Sequence, residues 1–120
     1  GSGKTFQLAY EYIKLLLGVK NADGTYSLGN RTEYHQHILA VTFTNKATGE
    51  MKSRIVNELW LLSQGKGDYA KLLTAELHTT PALLKKASRK ALEEILFNYT
   101  TFNVSTIDSF FQTVLRTFAF

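Results

Sequence analysis

Apolar residues recur along this chain with two periods, and the alternation between them sets the order of elements. Phe6, Ala9, Tyr10, Ile13, Leu16 and Leu17 follow the three-and-four spacing of one helix face, which predicts an amphipathic helix over 6–17. Gly18 ends it. Residues 19–34 hold Asn, Asp, Gly, Thr and Ser with no sustained period; Asp23-Gly24 marks a turn, and Tyr26 to Leu28 fits a short hairpin arm. His37 to Phe43 is a short and nearly continuous apolar run, the pattern of a strand buried on both faces of a parallel sheet.

The second half repeats the alternation. Thr44 and Asn45 offer capping side chains ahead of a helix whose buried stripe is Ala47, Met51, Ile55, Leu59 and Leu62. Lys46, Glu50, Lys52, Arg54 and Glu58 are assigned off that stripe, and Trp60, next to it, to the core. Gln64 to Asp68 breaks the helix. A short helix over 69–77 follows, then a longer one from Pro81 to about Phe97, with Pro in its first turn and Leu84, Ala87, Ala91 and Ile95 inward. Phe102 to Thr106 reads as a second short strand. Ser105 and Thr106 cap a final amphipathic helix carrying Ile107, Phe110, Phe111, Val114, Leu115 and Phe118, with Asp108 in its first turn.

Strands separated by helices point to an α/β fold of short parallel strands flanked by helices. The first helix begins abruptly, so a first strand is expected to be missing ahead of it. That absence predicts an unprotected sheet edge and self-association of the fragment.

Composition narrows this picture slightly. One hundred and twenty residues, 44% of them hydrophobic and 20% charged, suit one globular core. No apolar run approaches the roughly 20 residues that span a bilayer, so no membrane partner is expected, and with no cysteine a cytoplasmic setting fits. The net charge of +4 leans toward an anionic partner. Its densest run, Lys85, Lys86, Arg89 and Lys90, is read first as a solvated helix face and second as a phosphate-contacting patch. His35 and His37 lack a third ligand and are not taken as a metal site. Glu93-Glu94 follows no apolar strand and is read as solvated.

Gly1-Ser2-Gly3-Lys4-Thr5 matches the closing part of the phosphate-loop pattern, G-x-x-x-x-G-K-[ST]. Glycines let main-chain N–H groups turn toward phosphate oxygens. Lys4 would place its charge on the β- and γ-phosphates of ATP, and Thr5 its hydroxyl on Mg²⁺, at the positive end of a helix starting near it. A Gly-Ser cloning scar is the competing reading of the same start.

Residues 39–55, LAVTFTNKATGEMKSRI, put Thr42, Phe43, Thr44 and Asn45 at the carboxyl end of a strand, the edge where open α/β sheets bind ligands. Phe43 either stacks on an unpaired base or is simply the last core residue of the strand. This stretch closely resembles motif Ia of superfamily 1 DNA helicases of the UvrD/Rep type. Residues 104–119, VSTIDSFFQTVLRTFA, resemble motif Ib of the same helicases. Their Thr-Ile-Asp-Ser-Phe-Phe form, with Asp108 where many members have His, is most similar to the AddA/RecB-like branch.

With motif I at 1–5, motif Ia at 39–55 and motif Ib at 104–111, the resemblance implies an incomplete amino-terminal RecA-like ATP-binding lobe, 1A. It implies ATP-driven translocation on single-stranded DNA, in DNA repair or recombination. Gly1, Ser2, Gly3, Lys4 and Thr5 would hold ATP–Mg²⁺, with Lys4 and Thr5 catalytic. Thr42, Phe43, Thr44, Asn45, Thr106 and Ser109 would hold the strand. No Asp-Glu pair at a strand end and no arginine finger is recognisable, so no ATP hydrolysis is expected of this chain alone. A P-loop ATPase of another class explains Gly3-Lys4-Thr5 but not the other two stretches. A non-enzymatic α/β nucleic-acid-binding module predicts strand binding indifferent to nucleotide.

Overall fold

Glycine at position 18 fixes how the first helix turns into the rest of the chain. The structure, a computed structural model, describes residues 2–118. Helix α1 spans Ser2–Leu17 and buries Ala9, Tyr10, Tyr12, Ile13, Leu16 and Leu17. At Gly18 a Cβ would fall 2.7 Å from the Leu77 side chain and 2.8 Å from the Lys14 carbonyl oxygen, closer than carbon atoms tolerate. Strand β1, Gly18–Lys20, then pairs antiparallel with β2, Tyr26–Leu28, in the register Val19 opposite Ser27. The tip holds Gly24 at φ +89, and Asp23 Oδ1 accepts from the Thr25 amide at 3.0 Å. The expected hairpin arm is present.

Helix α1 starts at Ser2, not near Phe6, so Gly3, Lys4 and Thr5 form its first turn. Its first-turn amides have no intrahelical acceptor, and no acidic residue stands among them.

Strand β3 covers only Ala40–Thr42, shorter than the expected 37–43. Tyr34–His37 is a 3-10 turn, where His35 is buried and its Nε2 lies 3.1 Å from the Asn98 carbonyl oxygen and 3.0 Å from the Thr101 hydroxyl. Burial on both faces is also corrected. Leu39, Val41 and Phe43 are exposed, because β3 has one strand neighbour among the described residues. That neighbour is β4, Val104–Thr106, and the pair is parallel. The expected parallel strands therefore form a two-stranded sheet, accompanied by an antiparallel hairpin, in a mixed and mostly helical α/β domain.

Helices α2 (Asn45–Ser63), α3 (Tyr69–Glu76) and α4 (Pro81–Phe97) supply the rest of the core. α2 packs on α1, α4 and both strands of the parallel sheet. Met51, Ile55, Leu59 and Leu62 are buried as the stripe requires. Two assignments on α2 are wrong. Glu58 is 4% exposed, and Trp60 is 53% exposed. Position 58 lies three residues after Ile55 and four before Leu62, inside the stripe. Trp60, at about 100° per residue, points to the opposite side.

α4 buries Leu84, Ser88, Ala91, Leu92 and Ile95, and Lys90 turns back to Asn30, with Nζ donating to Oδ1 at 3.1 Å. Helix α5, Ile107–Thr117, has the predicted periodicity, but Ile107, Phe110 and Val114 are only half-buried, and Phe111, Leu115 and Phe118 are exposed. No helix of the described residues is long and apolar enough to cross a membrane.

Candidate functional site

The parallel register sets Thr42 opposite Thr106, so the two strands end together and the strand-end residues singled out in the sequence share one edge. Strand β4 passes directly into α5, and β3 reaches α2 through Phe43 and Thr44. Thr44 caps α2, its hydroxyl accepting from the Ala47 amide at 3.0 Å. Thr106 caps α5, accepting from the Ser109 amide at 3.2 Å and donating to the Ser109 hydroxyl at 3.0 Å. Each cap satisfies an amide that a helix start otherwise leaves open.

These bonds divide the residues. Thr42 is half-buried, and its hydroxyl lies 2.6 Å from that of Thr48, inside a small cluster that holds the strand tip. Thr106 is buried. Thr44, Asn45 and Ser109 are exposed on the same edge. Phe43 is 87% exposed, so it does not belong to the core of the described residues. An aromatic ring standing free between hydroxyl and amide groups has no packing role here.

A second feature adjoins this edge. A wide groove of about 1120 Å³ runs along α2, lined by Thr5, Thr44, Asn45, Lys46, Arg54 and Glu58 among others. It brings the amino end of α1 beside the start of α2. Lys4 is exposed and Thr5 half-buried, and a Cβ on Gly3 would meet no atom within 4 Å. An uncrowded glycine, a free lysine side chain and a helix start without acids suit a polyphosphate with its divalent ion. Gly1 lies outside the described residues, and nothing is described of the Ser2 side chain.

Behind α1 stands a support that the sequence reading missed. The Tyr69 hydroxyl donates to the Phe6 carbonyl, and the two rings meet edge to face with centroids 4.8 Å apart. The Arg54 guanidinium lies 5.7 Å from the Phe6 ring and 3.7 Å from a Glu58 carboxylate oxygen. The other Glu58 oxygen is buried without a hydrogen-bond partner. Burial holds this carboxyl above its ordinary range, against the pull of Arg54, with Asp68 adding to the rise. Burial likewise pushes the Tyr69 phenol up to about 12. The signal for Glu58 was its helical phase, which its charge obscured.

A profile of the UvrD/REP helicase N-terminal domain matches residues 1–120. The chain belongs to the UvrD/REP helicase N-terminal domain family. No curated protein and no solved structure matches it. As a UvrD/REP helicase N-terminal domain the chain is part of a DNA helicase, in a family whose members generally hydrolyse ATP.

Proposed function

We propose that this domain is the amino-terminal RecA-like lobe of an ATP-driven translocase, holding ATP–Mg²⁺ at the start of α1 and single-stranded DNA at the joined ends of β3 and β4. The observation that carries the DNA half is the pairing of Thr42 with Thr106 beside an 87% exposed Phe43. Phe43 stacks on an unpaired base, an interaction indifferent to base identity because every base has a π-face. The exposed Thr44, Asn45 and Ser109 hydrogen-bond phosphate and sugar oxygens. Thr42 and Thr106 act one step back: their hydroxyls are engaged within the protein, and they position the exposed ones.

At the other site, Lys4 neutralises the β- and γ-phosphate oxygens and Thr5 offers its hydroxyl to the metal ion. Gly3 lets phosphate approach the main chain. Bound ATP supplies the free energy of phosphoanhydride hydrolysis. Tyr69, through the Phe6 carbonyl, and Arg54, beside the Phe6 ring, hold the first turns of α1 in place. The groove running from Thr5 to Asn45 gives the two sites a common wall, along which nucleotide state and strand grip are coupled. The Thr106-Ile107-Asp108-Ser109 sequence favours the AddA/RecB-like branch and a role in DNA repair or recombination.

The test is an anisotropy titration of a labelled oligothymidylate with the chain and with Phe43→Ala. Saturable, salt-sensitive binding that weakens in the variant supports the proposal. A flat titration, or equal binding by both proteins, sinks it.

A further inference from the structure

A second groove lies between the carboxyl end of α2, α3 and the start of α4. It encloses about 590 Å³, and its walls include Leu62, Ala70 and Leu84. Lys71, His78 and Lys85 stand around it, and no carboxylate lines it. The carboxylate that ends α3, Glu76, is engaged elsewhere: one oxygen accepts from the Tyr10 hydroxyl and the other from Lys14 Nζ at 3.1 Å. Helix α4 opens beside the groove with no acid in its first turn, leaving the positive end of its dipole uncompensated. The Thr79 hydroxyl is buried there with no hydrogen-bond partner. His78 makes the bend between α3 and α4 at φ +49, and its Nδ1 lies 2.8 Å from the Tyr26 carbonyl oxygen.

We infer that this groove docks an acidic amphipathic segment of a partner protein. An aliphatic floor takes apolar side chains, and Lys71 and Lys85 at the rim take Glu or Asp flanking them, as charge complementarity requires. Nucleic acid fits less well, because no Phe, Tyr or Trp side chain lines the groove to receive a base. Lys71 and Lys85 make no ion pair among the described residues, so both charges are available to the partner.

The experiment uses a fluorescein-labelled helical peptide of about sixteen residues, roughly four turns, with Leu on one face and Glu on the other. It is titrated with the chain and with the double variant Lys71→Glu, Lys85→Glu. Both lysines are exposed, and unchanged far-ultraviolet circular dichroism verifies that the variant folds. Saturable binding that the double variant weakens about tenfold or more, and that added salt weakens too, is the expected result. No saturable binding, or equal binding of a control peptide with Lys in place of Glu, overturns the inference. Displacement of the peptide by oligothymidylate would make the occupant nucleic acid and also overturn it. So would a wild-type dimer in sedimentation that the double variant dissolves, since a second copy would then fill the groove.

Discussion

The Tyr69 hydroxyl donates to the main-chain carbonyl of Phe6, one residue beyond the Lys4-Thr5 pair. Tyr69 is fully buried, and its ring packs on Phe6 and on Tyr10, so α3 braces the first turns of α1. Tyr69→Phe keeps both ring contacts and removes only the hydroxyl. It should cost about 0.5–1.5 kcal/mol. Tyr69→Ala also leaves a cavity and should cost about 3–5 kcal/mol. Urea denaturation of both variants checks this, and a neutral Tyr69→Phe would mean that the hydrogen bond contributes nothing.

Phe43 makes the opposite case, a large aromatic with no packing to lose. Phe43→Ala should leave stability within about 0.5 kcal/mol of the parent. It should weaken binding to single-stranded DNA by about 1–3 kcal/mol, the worth of one stacked base. If the substitution instead lowers the urea midpoint and spares DNA affinity, the ring is structural.

Lys4 is exposed at the start of α1, so its removal should not unfold the domain. In a complete helicase carrying this domain, Lys4→Ala should lower DNA-stimulated ATP hydrolysis by about two to three orders of magnitude, as loss of a positioned charge does. Phosphate release by the chain alone should stay at background, since water-orienting and transition-state-neutralising groups are not recognisable in it. Turnover by the isolated chain, or an unaffected Lys4→Ala helicase, would contradict the assignment of this site.

Glu58 and Glu76 predict opposite responses to pH. Burial raises the Glu58 carboxyl above its ordinary 4.5, with Arg54 opposing and Asp68 adding. The folded state then holds this proton more tightly than the unfolded chain, so its contribution is fully present below about 4.5 and lost as pH rises through the folded value. Glu58→Gln should therefore raise the urea midpoint at pH 7, by an amount that shrinks toward pH 4. The Tyr10 hydroxyl lowers the Glu76 carboxyl most, burial opposes it by less, and Lys14 adds to the lowering. Its contribution is present above 4.5 and lost as pH falls through the folded value. Glu76→Gln should cost stability at pH 7 and cost less toward pH 3. Matching slopes for the two variants would refute both assignments.

Phe111, Leu115 and Phe118 leave one side of α5 apolar and exposed, next to a parallel sheet of two strands. The chain should associate with itself in a concentration-dependent way through this region. Leu115→Lys should shift it toward the monomer in sedimentation equilibrium. A monomer at all concentrations before substitution would dispose of this expectation.

Elements whose cues are local were legible in the sequence. Pro81 in the first turn and the stripe through Leu84, Ala91 and Ile95 located α4, and Asp23-Gly24 located the hairpin turn. What failed depended on tertiary cover. The run from His37 to Phe43 has the composition of a strand sealed on both faces, but sealing depends on neighbours that periodicity does not reveal. Trp60 and Glu58 were misassigned for a different reason: residue chemistry was given more weight than helical phase, and phase was the better guide. The shared edge of Thr42 and Thr106 follows from a register between residues far apart in sequence. The brace of Tyr69 on Phe6 likewise spans more than sixty residues (|i−j| = 63), and no local pattern encodes it.

Strand β4 gives way to α5 without a connecting residue, Thr106 closing one and Ile107 opening the other. Such a joint has no slack. A helix of 11 residues is an arm of roughly 16 Å at 1.5 Å per residue, pivoted where Thr106 and Ser109 are hydrogen-bonded. A tilt of the strand tip too small to alter a single hydrogen bond there becomes a displacement several times larger at Phe118, so whatever seats against α5 would feel the shared strand edge through a lever.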